Sequence, residues 1–264
     1  MQYMLNYHLT TQRNKTLLVM LHGFMGDHHA FDEAIERLQH DVDIMTIDLP
    51  GHGASCETRH QTWSFDWIAG EIKALLTPLH YERIIMYGYS MGGRVALYYA
   101  LSNEIDALIL ESASAGLDSA EARAERRKID DERGIEIITD YDAFVTSWSN
   151  LPLFKTHQPL PEDAKIKLDE MRRRQHPEGL KKALQDYGTG SQPALWHRLQ
   201  QYHKPVLLLT GTLDKKFEQL NSRMHRLLPN SRHIKLPAGH TIHVEHPEIF
   251  DTIVIEFIKE ANHV

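Results

Sequence analysis

The sequence predicts an α/β protein, a mostly parallel sheet with helices on both faces and an inserted helical cap. Short, nearly all-apolar runs alternate with longer amphipathic stretches, the pattern of strands covered by helices on both sides. The alternation stops between about Ser112 and His203, where the chain becomes rich in Arg and Glu and helical in pattern. A length of 264 residues suits one large core carrying an insertion. The expected division is core over 1–111, helical cap over 112–203 and core again over 204–264.

Residues 3–9 read as an antiparallel edge strand, and 17–21 (Leu-Leu-Val-Met-Leu) as the first buried one. An amphipathic helix is expected over 30–38, a strand over 42–47 and a helix over 65–79. The strand at 84–87 leads through a glycine-rich turn into a helix over 91–101, and 107–110 is the next strand. Within the insertion, 119–133 is dense in charge, a pattern that a solvated helix face also produces. The core resumes with a strand at 206–210, a helix over 217–228, a short apolar pattern at 233–236 and a helix over 247–260. No internal repeat or low-complexity tract interrupts this order.

With 42% hydrophobic and 25% charged residues, the chain has an ordinary globular composition, which excludes a disordered or fibrous protein. A single cysteine, Cys56, excludes an internal disulfide and points to a reducing, cytoplasmic setting. Residues 1–10 lack a signal-peptide pattern, and no apolar run approaches membrane-spanning length, so a soluble chain with no membrane span is expected. The net charge of −7 argues against nucleic acid as a partner, although bulk charge says little about a pocket.

Gly88-Tyr89-Ser90-Met91-Gly92-Gly93, between a buried strand and an apolar helix, has the context of a nucleophile elbow. The bare pattern is weak, and its placement strengthens it. A serine hydroxyl needs a base, and the base a carboxylate to orient it. Asp214 follows the 206–210 strand and His240 the 233–236 pattern, so Ser90, Asp214 and His240 occur in the order of a Ser–Asp–His triad. Taken singly, Asp214 could instead cap the helix after it, and His240 could be a surface histidine.

The backbone amides of Met91 and Phe24, the latter in His22-Gly23-Phe24-Met25-Gly26, are the expected oxyanion donors. His22 itself is expected to hold structure rather than catalyse. His240, His243 and His246 are spaced by three and His28 adjoins His29, but no zinc-protease or cysteine motif accompanies them. With His240 assigned to the triad, His28, His29, His243 and His246 are expected on loop or helix surfaces, and no metal and no cofactor is expected.

These residues resemble the α/β-hydrolase superfamily over essentially the whole chain. Residues 23–27, 48–53, 88–94 and 214–217, with Tyr89 inside the elbow, Arg94 four residues past the serine, the segment 124–127 and the pair Trp148 and Phe154, are similar to the 2-succinyl-6-hydroxy-2,4-cyclohexadiene-1-carboxylate synthase family of menaquinone biosynthesis. The resemblance implies a lyase that eliminates pyruvate from a small-molecule polycarboxylate, with the triad as base. It also implies anion-binding arginines at Arg94, Arg126 and Arg172, suited to carboxylates by their forked donors. In the run Arg172-Arg173-Arg174 the pocket-facing member is open. Arg126 and Arg172 could equally face solvent on cap helices. Tyr89, Trp148 and Phe154 would line the pocket or belong to the core. A carboxylesterase or carbon–carbon bond hydrolase with an acyl-serine intermediate is the nearest alternative, and a non-enzymatic ligand receptor on the same fold is another.

Overall fold

The buried apolar runs become the middle of one sheet in the computed structural model, which describes residues 4–55 and 61–261. Tyr3, at the start of the expected edge strand, and Cys56 lie outside them. Among the described residues seven strands pair: β1 (Tyr7–Thr10), β2 (Thr16–Leu21), β3 (Asp43–Ile47), β4 (Arg83–Tyr89), β5 (Ala107–Glu111), β6 (Val206–Gly211) and β7 (Ser231–Leu236). Their spatial order is β1-β3-β2-β4-β5-β6-β7. β1 runs antiparallel to β3, and every other pairing is parallel.

The two-residue period of a strand divides each run between two cores. Leu17, Val19 and Leu21 of β2 enter one apolar cluster, and Leu18 and Met20 the other. The first cluster is covered by α2 (Phe65–Leu76) and α3 (Met91–Ala100), the second by α1 (Asp32–Leu38) and α10 (Pro247–Ala261). Ser64 caps α2 by accepting from Trp67 N. This helix stops three residues before the expected 79; Pro78 has no amide to donate, so the helical hydrogen-bond ladder cannot continue through it.

Between β5 and β6 lie α4 (Ala120–Thr139), α5 (Tyr141–Ser149), α6 (Glu162–Arg173) and α7 (Pro177–Tyr187), with 3-10 turns at Pro152–His157 and Trp196–Gln201. α4 buries only Asp130, Gly134 and Ile137, consistent with its charge density. Asp140 both ends α4 and caps α5, accepting from Ala143 N. A third apolar cluster joins Met25 of the core to Ile137, Phe144, Val145, Leu180 and Leu184 of the inserted helices.

Polar and backbone contacts fix this insertion to the core. Gly51 (φ +82°) and Gly179 meet back to back, and a Cβ on either would lie 2.4 Å from the other's carbonyl oxygen. Tyr187 donates its hydroxyl to Pro50 O at 2.6 Å. Arg174 donates to both oxygens of Asp27 at 2.8 Å, while Gln175 bridges Asp27 and the Gly53 amide. Among the described residues no helix is long and apolar enough to cross a membrane.

Candidate active site

Ser90 sits between β4 and α3 with φ 51° and ψ −104°, a backbone geometry a side-chain-bearing residue rarely adopts. Its amide donates to Glu111 O on the neighbouring strand at 2.8 Å. The turn requires bare backbone on both flanks: a Cβ on Gly88 would lie 2.5 Å from Gly92 O, and one on Gly92 would lie 2.2 Å from Leu21 O. Strand, sharp turn and helix thus hold the hydroxyl at the carboxyl edge of the sheet, where ligands of open α/β sheets bind.

His240 and Asp214 reach the same point from the ends of β7 and β6. Ser90 Oγ lies 2.9 Å from His240 Nε2, and His240 Nδ1 lies 2.6 Å from Asp214 Oδ2. Nδ1 donates to the carboxylate, leaving Nε2 to accept the serine proton. Both partners are buried, His240 at 1% exposure and Asp214 at 8%. Asp214 also caps α8 (Lys215–Leu227), its other oxygen accepting from Phe217 N at 3.3 Å. One carboxylate oxygen therefore faces the imidazole while the other caps the helix.

Phe24 follows β2, and Met91 is the first residue of α3, so the Met91 amide has no acceptor within its helix. Both segments border the nucleophile. His22 has its ring committed to structure: Nδ1 donates to Gly23 O at 2.8 Å and Nε2 accepts from Leu49 N at 3.0 Å. Burial lowers its pKa, which favours the neutral ring these two bonds require.

The aromatic candidates gather beside the triad. Trp148 contacts Phe24, Phe144 and Phe154 at ring separations of 5.2, 5.7 and 6.2 Å. Phe154 lies 6.3 Å from the His240 ring, and Tyr89 5.4 Å from it. The Tyr89 hydroxyl is bonded to Thr241 Oγ1 at 2.9 Å.

The arginine run resolves by helix face. Arg172 is buried, at 8% exposure, with its guanidinium 4.9 Å from the Phe154 ring and bonded to Ser149 Oγ. Arg173 faces outward and pairs with Asp142 and Asp169. Arg174 is engaged by Asp27. Arg94 is half-buried and donates to Tyr187 O at 3.1 Å. Burial, and then the charge of Arg126, push its pKa down to about 10. Arg126 is bonded to Asp130 at 2.9 Å.

Two further cations join this cluster without having been singled out in the sequence. Arg133 lies 3.7 Å from the same Asp130 oxygen, with its guanidinium 5.5 Å from the Trp148 ring. Lys216, two residues past Asp214, has its pKa lowered by burial first and by Arg126 second. Arg94, Arg126, Arg133 and Lys216 therefore share one region in which Asp130 supplies a carboxylate to Arg126 and Arg133. Such an excess of positive charge suits an anionic ligand. A cavity of about 470 Å³ beneath α6 is lined by Phe24, Tyr89, Phe154, His157 and Arg172, and its lining includes neither Ser90 nor His240 nor this cation cluster.

The expected surface position is wrong for His243, which is buried with Nδ1 2.9 Å from Glu111 Oε1. That partner lies far away in the sequence, so no local pattern marked His243 as interior. Among the described residues no group of three or more His, Cys, Asp or Glu side chains is arranged to hold a metal ion.

A mostly parallel sheet with an antiparallel edge, a serine elbow and a Ser–His–Asp relay define an α/β-hydrolase-fold protein, and the α/β-hydrolase family matches residues 16–247. The chain is 37% identical to the putative 2-succinyl-6-hydroxy-2,4-cyclohexadiene-1-carboxylate synthase of Bacillus subtilis (strain 168) over 246 residues, 91% of this chain and 89% of that one. It is 30% identical to the synthase of that name from Serratia proteamaculans (strain 568), with 94% of each covered. The structure of MenH from S. aureus superposes with a TM-score of 0.94 at 40% identity, covering 97% of this chain and 98% of the other. The chain belongs to the 2-succinyl-6-hydroxy-2,4-cyclohexadiene-1-carboxylate synthase family.

Proposed function

We propose that the chain is a carbon–oxygen lyase of menaquinone biosynthesis. It eliminates pyruvate from 2-succinyl-5-enolpyruvyl-6-hydroxy-3-cyclohexene-1-carboxylate to give 2-succinyl-6-hydroxy-2,4-cyclohexadiene-1-carboxylate. The observation that carries this reading is the relay Asp214–His240–Ser90 set beside a cluster of cations, Arg94, Arg126, Arg133 and Lys216. An esterase for neutral lipids has no use for that charge. A substrate bearing several carboxylates does.

In this reading His240 Nε2 accepts the Ser90 proton as Ser90 Oγ takes a carbon-bound proton from the substrate; the C–O bond breaks, the enolpyruvyl group leaves as its enolate, and the proton that His240 gives up converts it to pyruvate and restores the neutral imidazole. Asp214 stabilises the imidazolium that forms. The amides of Phe24 and Met91 meet negative charge as it grows on a substrate oxygen. Arg94, Arg126 and Arg172 bind carboxylates, Tyr89, Trp148 and Phe154 shape the walls, and the helices of 112–203 act as a cap over the site. The reading assigns no cofactor and a cytoplasmic location.

Pyruvate release from the freshly generated intermediate tests the assignment. A rate no higher than the spontaneous one overturns it. Turnover of simple p-nitrophenyl esters exceeding that of the polycarboxylate would favour an acyl-serine hydrolase instead.

A further inference from the structure

Glu111, at the end of β5, is a buried carboxylate that contacts the supports of both Ser90 and His240. Its side chain is fully buried. Its backbone oxygen accepts from Ser90 N at 2.8 Å, holding the nucleophile in its left-handed conformation. Its carboxylate faces the segment that follows His240: Oε1 accepts from Ile242 N at 2.7 Å and His243 N at 3.4 Å, and lies 2.9 Å from His243 Nδ1. Those two amides open α9 (Ile242–Glu245), one turn past the catalytic histidine. Oε2 accepts from the Tyr87 hydroxyl at 2.5 Å. Tyr89, paired in register with Glu111, wedges its ring between His240 at 5.4 Å and His243 at 4.8 Å.

We propose that Glu111 is the positioning residue of the triad, locking the His240 loop to the serine elbow so that the Ser90–His240 hydrogen bond is formed before substrate arrives. The inference rests on the triad function proposed above. A buried carboxylate is costly without donors. Here four donors converge on it, and three of them lie in the loop whose register sets the imidazole. A misplacement of about 1 Å in such a constellation costs up to about 100-fold in rate.

The test uses Glu111→Gln, which keeps the shape but replaces the charged acceptor with a neutral one, and Glu111→Ala, which removes the acceptor. Two readouts are compared: kcat and KM for pyruvate release, and the rate at which a fluorophosphonate labels Ser90. The Gln variant is expected to lose about tenfold in kcat with KM changed by less than about twofold, and to lose the same factor in labelling. The Ala variant is expected to lose roughly 100-fold in both. If Ala does not fold, the Gln pair of measurements decides alone. A folded Gln variant that labels at the wild-type rate overturns the proposal, as does one whose KM rises at constant kcat. Wild-type protein that labels on Ser90 yet releases no pyruvate would refute the lyase assignment alone, and the labelling rates would still judge Glu111.

Discussion

Asp214 carries two loads on two oxygens, and substitution separates them. Oδ2 meets His240 Nδ1 at 2.6 Å, a short charge-assisted bond, whereas Oδ1 accepts from Phe217 N at 3.3 Å, long for a helix cap. Asparagine can keep the cap through its carbonyl oxygen and then presents an amide N–H to the imidazole. That forces the histidine proton onto Nε2, where it can no longer accept from Ser90. The loss expected in kcat for Asp214→Asn is about 10⁴-fold, or about 5.5 kcal/mol. Stability should hardly change. Alanine loses the cap as well, at about 0.5–1 kcal/mol given the long bond, which for a domain of this size lowers Tm by roughly 2 °C. Steady-state pyruvate release and thermal melting of both variants check this. An asparagine variant that keeps more than about a tenth of wild-type kcat, or one that melts as low as alanine, would refute the division of roles.

Three other outcomes follow from contacts already described. Burial acts to raise the Asp27 pKa, but the bonds from Arg174 and the nearby positive charge outweigh it and hold the carboxyl at about 2. Because the folded value lies below the unfolded one, the contribution is present above about pH 4 and fades toward pH 2, at about 2 kcal/mol before screening of the half-exposed Arg174 and roughly 1 kcal/mol after it. Denaturant unfolding of wild type and Asp27→Asn should therefore differ at pH 7 and converge near pH 2, and a gap independent of pH would count against the assignment. Gly179→Ala places a methyl 2.4 Å from Gly51 O and should cost about 2–3 kcal/mol by calorimetry; an unchanged Tm would mean that the two backbones separate freely. Arg172→Ala should raise KM for the polycarboxylate about tenfold, whereas Arg173→Ala should leave it within about twofold, and equal effects would remove the distinction between the two faces of α6.

The sheet was legible because β2 and β6 are buried along their whole length, so their apolar runs need no periodicity to be read. The triad was legible because each member sits just past a strand, where local sequence marks the position. Glu111 was not. Its sequence neighbours continue a strand, and its importance comes from a loop more than 130 residues later. Lys216 was missed for the same reason: on its own element it is an ordinary helix cation, and only tertiary proximity sets it beside Arg126. Arg133 was within reach of the sequence, two turns beyond Arg126 on the same face of α4. Arg172, Arg173 and Arg174 could not be told apart in the sequence because successive helical residues differ by about 100° in direction, and the contact with Phe154 selects one of them. His243 misled in the opposite direction, a polar residue that belongs inside because its partner carboxylate is buried with it.

The Gly51–Gly179 contact bears on how such a chain can be re-engineered. Because two bare backbones touch there, α7 is matched in shape to the 48–53 loop rather than merely placed above it. Transplanting the 112–203 helices from a relative without that loop would set a side chain against a carbonyl and jack the graft off its seat. The exchangeable module is therefore the helices and the loop together, two pieces separated in the chain that must be swapped as one.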